Sequence, residues 1–186
     1  MPLPSPVVPD RAALLAAADA AVGSGTFAKL SHATVAKAAG VTVDEVREAF
    51  PARRDLVEAI CVERHHRWFA DLRAAVRAVD EPRDRVLEVF TYLESDETGC
   101  CPCADTVGTG QHVVEALAVG HLVEVEQFIA ELCEEAGLPR VVGDAVVLLV
   151  EGAAMTSKVR DRPHPVRAAR TAAAMLIALY EPTVAS

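Results

Sequence analysis

Residues 31–50 read Ser-His-Ala-Thr-Val-Ala-Lys-Ala-Ala-Gly-Val-Thr-Val-Asp-Glu-Val-Arg-Glu-Ala-Phe. Two short helices fit this stretch, separated by Gly40-Val41, with Gly40 suited to the left-handed conformation that ends a helix. Thr42 then stands where an N-cap is needed, and Thr42-x-x-Glu45 is a capping box. Val35, Ala36 and Ala39 on the first helix would face Val46 and Phe50 on the second. That is the spacing of a helix-turn-helix, whose second helix can enter a DNA major groove. Two short helices about a glycine also occur as plain packing, so the stretch by itself leaves both readings open.

Outward from it, proline and glycine cut the chain into helix-length pieces. Pro51, Pro82, Pro102, Pro139 and the pair Pro163/Pro165 each precede a stretch rich in Ala, Leu, Val, Glu and Arg, as expected where proline opens a helix. The pattern predicts helices at 10–22, 31–39, 43–49, 52–79, 82–96, 103–108, 111–136, 140–160 and 165–180. No segment alternates with period two for long enough to make a strand, and Val146–Val150 sits inside a helical pattern. The fold class is therefore all-α, and no internal repeat suggests a solenoid.

The longest segment, 52–79, carries an apolar stripe of Cys61, Trp68, Leu72, Val76 and Val79, with His65 inside it. Segment 111–136 has a similar stripe of Val114, Ala118, Val125, Phe128 and Leu132 that includes His121. Segment 140–160 is apolar on nearly every side until Lys158, and 165–180 is rich in alanine, with Ala172 and Ala173 at its middle. A helix apolar all round must be covered on more than one side. The extra cover expected here is a second copy of the chain.

Charge is unevenly spread. The 186 residues hold 18 Lys and Arg against 27 Asp and Glu, a net −9. Residues 1–56 are neutral, so the whole excess falls on 57–186. An acidic surface repels phosphates, which confines any nucleic-acid contact to the N-terminal region. Aromatic residues are 4% of the chain, too few for a single-strand binder built on base stacking. The apolar runs Ala12–Val22 and Ala145–Met155 are too short to span a bilayer and are interrupted by Asp19 and Glu151. The first ten residues carry four prolines and no basic residue, unlike a secretory signal. Five cysteines, three of them clustered at Cys100, Cys101 and Cys103, suggest free thiols in a reducing cytosol rather than a disulfide scaffold. A cytoplasmic protein with no membrane partner is expected.

From Arg11 through Leu56 the chain resembles the DNA-binding domain of the TetR family of transcriptional regulators. Leu14-Leu15-x-Ala17-Ala18 looks like the family's first-helix core. Ser31 and Val35-Ala36-x-x-Ala39-Gly40-Val41-Thr42 look like its signature turn, and Phe50-Pro51-x-Arg53-x-x-Leu56 is similar to its entry into the fourth helix. Further on the likeness is generic: a long fourth helix, Gly99-Cys100, and Glu151-Gly152-Ala153-Ala154 in what would be the eighth helix. The resemblance implies a proline-rich flexible arm at 1–9, a three-helix helix-turn-helix head at 10–51, and a helical effector-binding and dimerisation domain at 52–183. It implies a homodimer on a pseudo-palindromic double-stranded operator, released as a repressor by a small molecule. Ser31, His32, Ala33, Thr42, Val43, Asp44, Arg47, Glu48 and Arg53 would face DNA. His65, Trp68, Leu72, Phe90, Leu93, Cys103, His112 and Met155 would line the effector pocket.

The chain departs from the family pattern at several of these positions. Arg47 stands where a tyrosine usually reaches a phosphate, and arginine holds phosphate strongly. Arg53 replaces the usual lysine, and Asp44 and Thr26 replace common glycines. Glu48 adds an acid to the recognition helix, where it could accept a hydrogen bond from cytosine or repel DNA.

Other chemistries compete for the remaining residues. Soft thiolates at Cys100, Cys101 and Cys103, with His112 and His121 downstream, would suit Zn or Cu(I), or a thiol-redox sensor. The paired C-x-x-C of a structural zinc site is absent, so no metal or cofactor is expected. Glu63-x-x-His66 matches half of a di-iron motif, and no second half exists. His65 is read as facing the interior and His66 as facing solvent. No G-x-S-x-G, H-E-x-x-H or phosphate-binding glycine loop occurs; an enzyme, or an interaction protein on a head that has lost DNA binding, is the least favoured reading.

Overall fold

The structure, a computed structural model, describes residues 10–22, 27, 30–95, 112–160 and 164–180, with backbone alone for 112–114, 158–160 and 164. Within them the chain folds into eight helices: α1 (Arg11–Val22), α2 (His32–Ala39), α3 (Val43–Ala49), α4 (Arg53–Arg77), α5 (Pro82–Ser95), α6 (His112–Glu135), α7 (Arg140–Arg160) and α8 (His164–Ala178). The described residues contain no strand. The eight match the predicted segments to within two residues at each end, because the termini are set by local chemistry. The predicted helix at 103–108, the arm at 1–9, and Cys100, Cys101 and Cys103 lie outside the described residues.

The turn between α2 and α3 forms as its residue types require. Gly40 takes φ 70°, ψ 29°, and the Val41 N–H donates to the Ala36 carbonyl at 3.0 Å, closing the C-terminal turn of α2. Thr42 caps α3: its N–H donates to Glu45 Oε2 at 2.7 Å and the Glu45 N–H returns to Thr42 Oγ1 at 3.3 Å. A second capping box, which the sequence pattern did not reveal, joins Ser31 and Thr34. The Ser31 N–H donates to Thr34 Oγ1 at 2.9 Å, and the Thr34 N–H donates to Ser31 Oγ at 3.1 Å. Each cap of this kind is worth about 1 kcal/mol, a large share for helices of eight and seven residues.

Helices α1, α2 and α3 pack around Leu14, Val35, Val46 and Phe50, all fully buried. α4 carries this head into the rest of the molecule. Its Leu56, Val57 and Ile60 are buried near its start, and Trp68, Leu72 and Val76 further along. In the body, α6 packs on α4, α5 and α7, while α8 packs on α7 and α5. The buried residues make one hydrophobic cluster from Leu14 to Ile177. No helix among the described residues is long and apolar enough to cross a membrane.

Two expectations within the body are corrected. Met155 is 72% exposed, on the outer side of α7. α7 is apolar on most sides, and its inward face is Val142, Val146, Val150 and Ala153 instead. Ala173 is fully buried against its own chain, whereas Ala172, one residue on, borders the outer face of α8.

Candidate functional site

The outer surface of the head is built on α3. Val46 points inward and is fully buried, so the helical repeat turns Asp44, Arg47 and Glu48 to solvent, with Thr42 exposed just before them. Val43 is half-buried and packs on the core. Ala33 is exposed at the first turn of α2, beside the half-buried Ser31 and His32. Arg47 lies 3.4 Å from Asp44, with the two side chains 60% and 92% exposed. Such a pair contributes little to stability and exchanges readily for another anion. Glu45 is occupied by the cap, and the Thr42 backbone N–H holds its carboxyl below the usual range.

Two of the head residues have structural partners that the sequence did not reveal. His32 Nε2 lies 2.8 Å from the Phe50 carbonyl, tying the start of α2 to the end of α3. Arg53 donates from Nε to the Leu30 carbonyl at 2.7 Å, and from a terminal nitrogen to the Phe27 carbonyl. Its guanidinium therefore moors the start of α4 to the approach to α2, while the side chain stays exposed. Arg11 rests over the Phe50 ring, 4.6 Å from its centroid.

In the body, the helical stripe of α4 meets α6 in a column of rings. His65 is fully buried, and its Nε2 lies 2.7 Å from Glu124 Oε2. That hydrogen bond is the main cause holding the Glu124 carboxyl below its ordinary range, outweighing its burial, with His121 and His66 adding to it. A lowered carboxyl is an acceptor, so the imidazole donates. The His65 and His121 rings stack at 3.6 Å and 3°, and Phe69 stacks on His65 at 5.5 Å. Arg73 closes the column, 4.4 Å from the Phe69 centroid and 5.3 Å from that of Phe128, a cation over two π faces. Beside it Trp68 meets Tyr92 edge-on at 5.9 Å, and the Tyr92 hydroxyl donates to the Trp68 carbonyl at 3.2 Å.

Of the predicted pocket residues, His65 and Trp68 stand in this column. Leu72, Phe90 and Leu93 are buried in the same core. Met155 is on the far surface, Cys103 lies outside the described residues, and only the backbone of His112 is described. His66 is exposed. Glu124, Phe69, Tyr92 and Arg73 were missed, because nothing local in a sequence says which residues of α4, α5 and α6 meet. No group of three or more His, Cys, Asp or Glu among the described residues is arranged to hold a metal. Cys61 and Cys133 are both buried, and burial pushes the Cys133 thiol up to about 11, where it is inert.

A third surface is apolar. Val141, Leu148 and Met155, spaced seven apart on α7, are 61%, 70% and 72% exposed, and Met175 and Leu179 at the end of α8 are 66% and 77% exposed. Between them runs a groove of about 480 Å³ lined by Ala145, Leu148, Leu149, Ala172, Met175 and Leu179 among others. Gly152 stands on the same helix, and a Cβ added there would meet nothing within 4 Å.

No protein-family model matches the sequence, and no curated protein does. Solved structures do. A TetR-family transcriptional regulator from Cytophaga hutchinsonii superposes with a TM-score of 0.77 over 92% of this chain and 94% of that one, at 16% identity. The multidrug binding protein EbrR, complexed with imidazole, matches with a TM-score of 0.68 at 24% identity, over 95% of this chain and 92% of its own. A TetR-family member from Streptomyces coelicolor A3 gives 0.66 at 23% identity, over 90% and 98%. The chain has the TetR-regulator fold. That fold has a helix-turn-helix head, which α1–α3 form here, followed by a helical C-terminal part.

Proposed function

We propose that this chain is a homodimeric, ligand-responsive DNA-binding transcriptional regulator, a repressor released by a small molecule. The observation that carries the reading is a capped helix-turn-helix at one end of a TetR fold, with the outer face of α3 bare. Arg47 supplies a phosphate-binding charge on that face, and Arg53 and Arg54 supply exposed charge at the start of α4. The apolar faces of α7 and α8 support the dimer. Large aliphatic side chains at seven-residue spacing, flanking a groove of small ones, are what a second copy would cover. The effector region is the ring column of α4 and α6, with Trp68, Phe69 and Phe128 as apolar walls and His65, Glu124 and Arg73 as polar anchors. The neighbour named as a multidrug binding protein supports an organic effector over a metal. This reading assigns the chain no reaction, and its place is the cytoplasm.

Selection of bound duplexes from a random-sequence pool by the full-length protein tests it. The expected product is a two-fold-symmetric site whose half-sites are about 34 Å apart, bound with strong salt dependence. Recovery of no preferred sequence at low salt, from protein that sediments as a dimer, would overturn the DNA-binding reading.

A further inference from the structure

Besides the mooring of Arg53 at the start of α4, the head meets α4 at the carboxylate of Asp19. Asp19, in the third turn of α1, accepts from Arg64 Nε on one oxygen and from Arg67 at 2.8 Å on the other. A second Arg64 nitrogen reaches the Asp19 carbonyl at 3.4 Å. The Asp19 and Arg64 side chains are 19% and 16% exposed, and the Arg64 guanidinium also lies 5.8 Å from the Phe27 ring centroid. Burial raises the Asp19 carboxyl, but the hydrogen bonds and charges of Arg67 and Arg64 outweigh it, leaving it below its ordinary value.

The position of the two arginines gives this bridge its consequence. Arg64 and Arg67 are three residues apart, on one flank of α4. His65 and Trp68, in the same turn, enter the ring column on the other flank. One turn of helix therefore grips the head with one side and α6 with the other. The apolar contact between α1 and α4 is non-directional and tolerates sliding. Two charge-assisted hydrogen bonds on the two oxygens of one carboxylate fix both distance and angle.

We infer that Asp19 is a positioning residue: its bridge to Arg64 and Arg67 sets the orientation of the helix-turn-helix head on α4, so that a shift of α4 at His65 is passed to α3 rather than absorbed at the α1–α4 contact. The orientation claim stands on the geometry alone, and its consequence for DNA rests on the regulator reading above.

The test has two arms. In the first, spin labels are placed at exposed Lys37 and Arg77, each changed to Cys in full-length protein with its native cysteines replaced, and their distance distribution is measured. Asp19→Asn, close to isosteric, should broaden and shift that distribution, as should Arg64→Gln with Arg67→Gln. Asp19→Glu, which keeps the charge, should move it back towards the parent. A distribution unchanged by Asp19→Asn would overturn the inference. In the second arm, the symmetric duplex selected by the wild type is compared with versions whose half-sites are moved apart by one to three base pairs. Asp19→Asn should bind the native spacing about tenfold more weakly, as a head oriented correctly a tenth of the time must, and should discriminate less among spacings. Affinity for a duplex holding one half-site should stay within about twofold. An equal loss on all duplexes would make Asp19 a mere stability residue and overturn the positioning role. If the wild type selects no sequence, the regulator reading fails while the first arm still decides the bridge.

Discussion

The outer face of α3 and the joined outer faces of α7 and α8 are both left uncovered by the described residues, and they differ in chemistry. α3 shows water Asp44, Arg47 and Glu48; α7 and α8 show it Leu148, Met155, Met175 and Leu179. Water solvates the first set at no cost, so α3 can wait for a partner indefinitely. The second set loses about 25 cal/mol for each Å² left wet, so a partner there would be a standing one. Under the proposed reading, the difference orders two associations in time: a permanent apolar contact with a second copy, and a conditional, salt-screened contact with DNA.

The largest effect expected from this contrast is on the apolar side. Leu148→Glu puts a charge in the groove of each subunit, and two-fold symmetry counts it twice. Burying each carboxylate costs several kcal/mol, so the variant should sediment as a monomer at micromolar concentration with an unchanged helical circular dichroism spectrum. A dimer of wild-type affinity would break the comparison at its apolar end.

Next in size is the support beneath the polar face. Phe50 is fully buried, lies under Arg11, and offers its carbonyl to His32. Phe50→Ala should cost about 3–5 kcal/mol of folding stability, read from denaturant midpoints. A loss below about 1 kcal/mol would mean that the head is held by its caps rather than its core.

A smaller effect separates head from body by acid. The Asp19 carboxyl is lowered from its ordinary 3.8, so its bridge stabilises the fold above that value and ceases to as pH falls through the lowered one. Wild type and Asp19→Asn should therefore differ in stability near neutrality and converge below about pH 4. A gap that persists unchanged at lower pH would assign the bridge's contribution to packing.

The smallest effect belongs to the exposed charge. Arg47→Ala should change stability by less than about 0.5 kcal/mol, since its pair with Asp44 is solvated. It should weaken binding to all duplexes alike and lower the salt slope by about one unit. A loss confined to one base pair would move Arg47 from phosphate to base contact.

How far the sequence could be read depended on the range of the interaction. Thr42 and Glu45, three residues apart, and Gly40, alone in its conformation, are local, and α3 appeared at its predicted bounds. His65 was legible as an inward residue because the stripe of α4 is regular. Its partners His121 and Glu124 were not, since α5 lies between α4 and α6 in sequence and their register is set by tertiary packing. Arg53 was legible as a charge at the start of α4, but its mooring to Leu30 and Phe27 was not, because it joins positions more than twenty residues apart. Met155 was misplaced for a different reason: on a helix apolar nearly all round, periodicity cannot distinguish the face turned to its own core from the face turned outward.

Gly152 shows what that outward face costs the single chain. In a helix interior glycine forfeits about 1 kcal/mol against alanine, and among the described residues nothing lies within 4 Å of where the methyl would stand. An isolated subunit would therefore melt later with alanine there. In a pair whose helices cross at Gly152, the same methyl would hold two backbones apart. In such a pair the residue would sacrifice the stability of one subunit for the closeness of two, and the gain or loss from Gly152→Ala should then change sign with protein concentration.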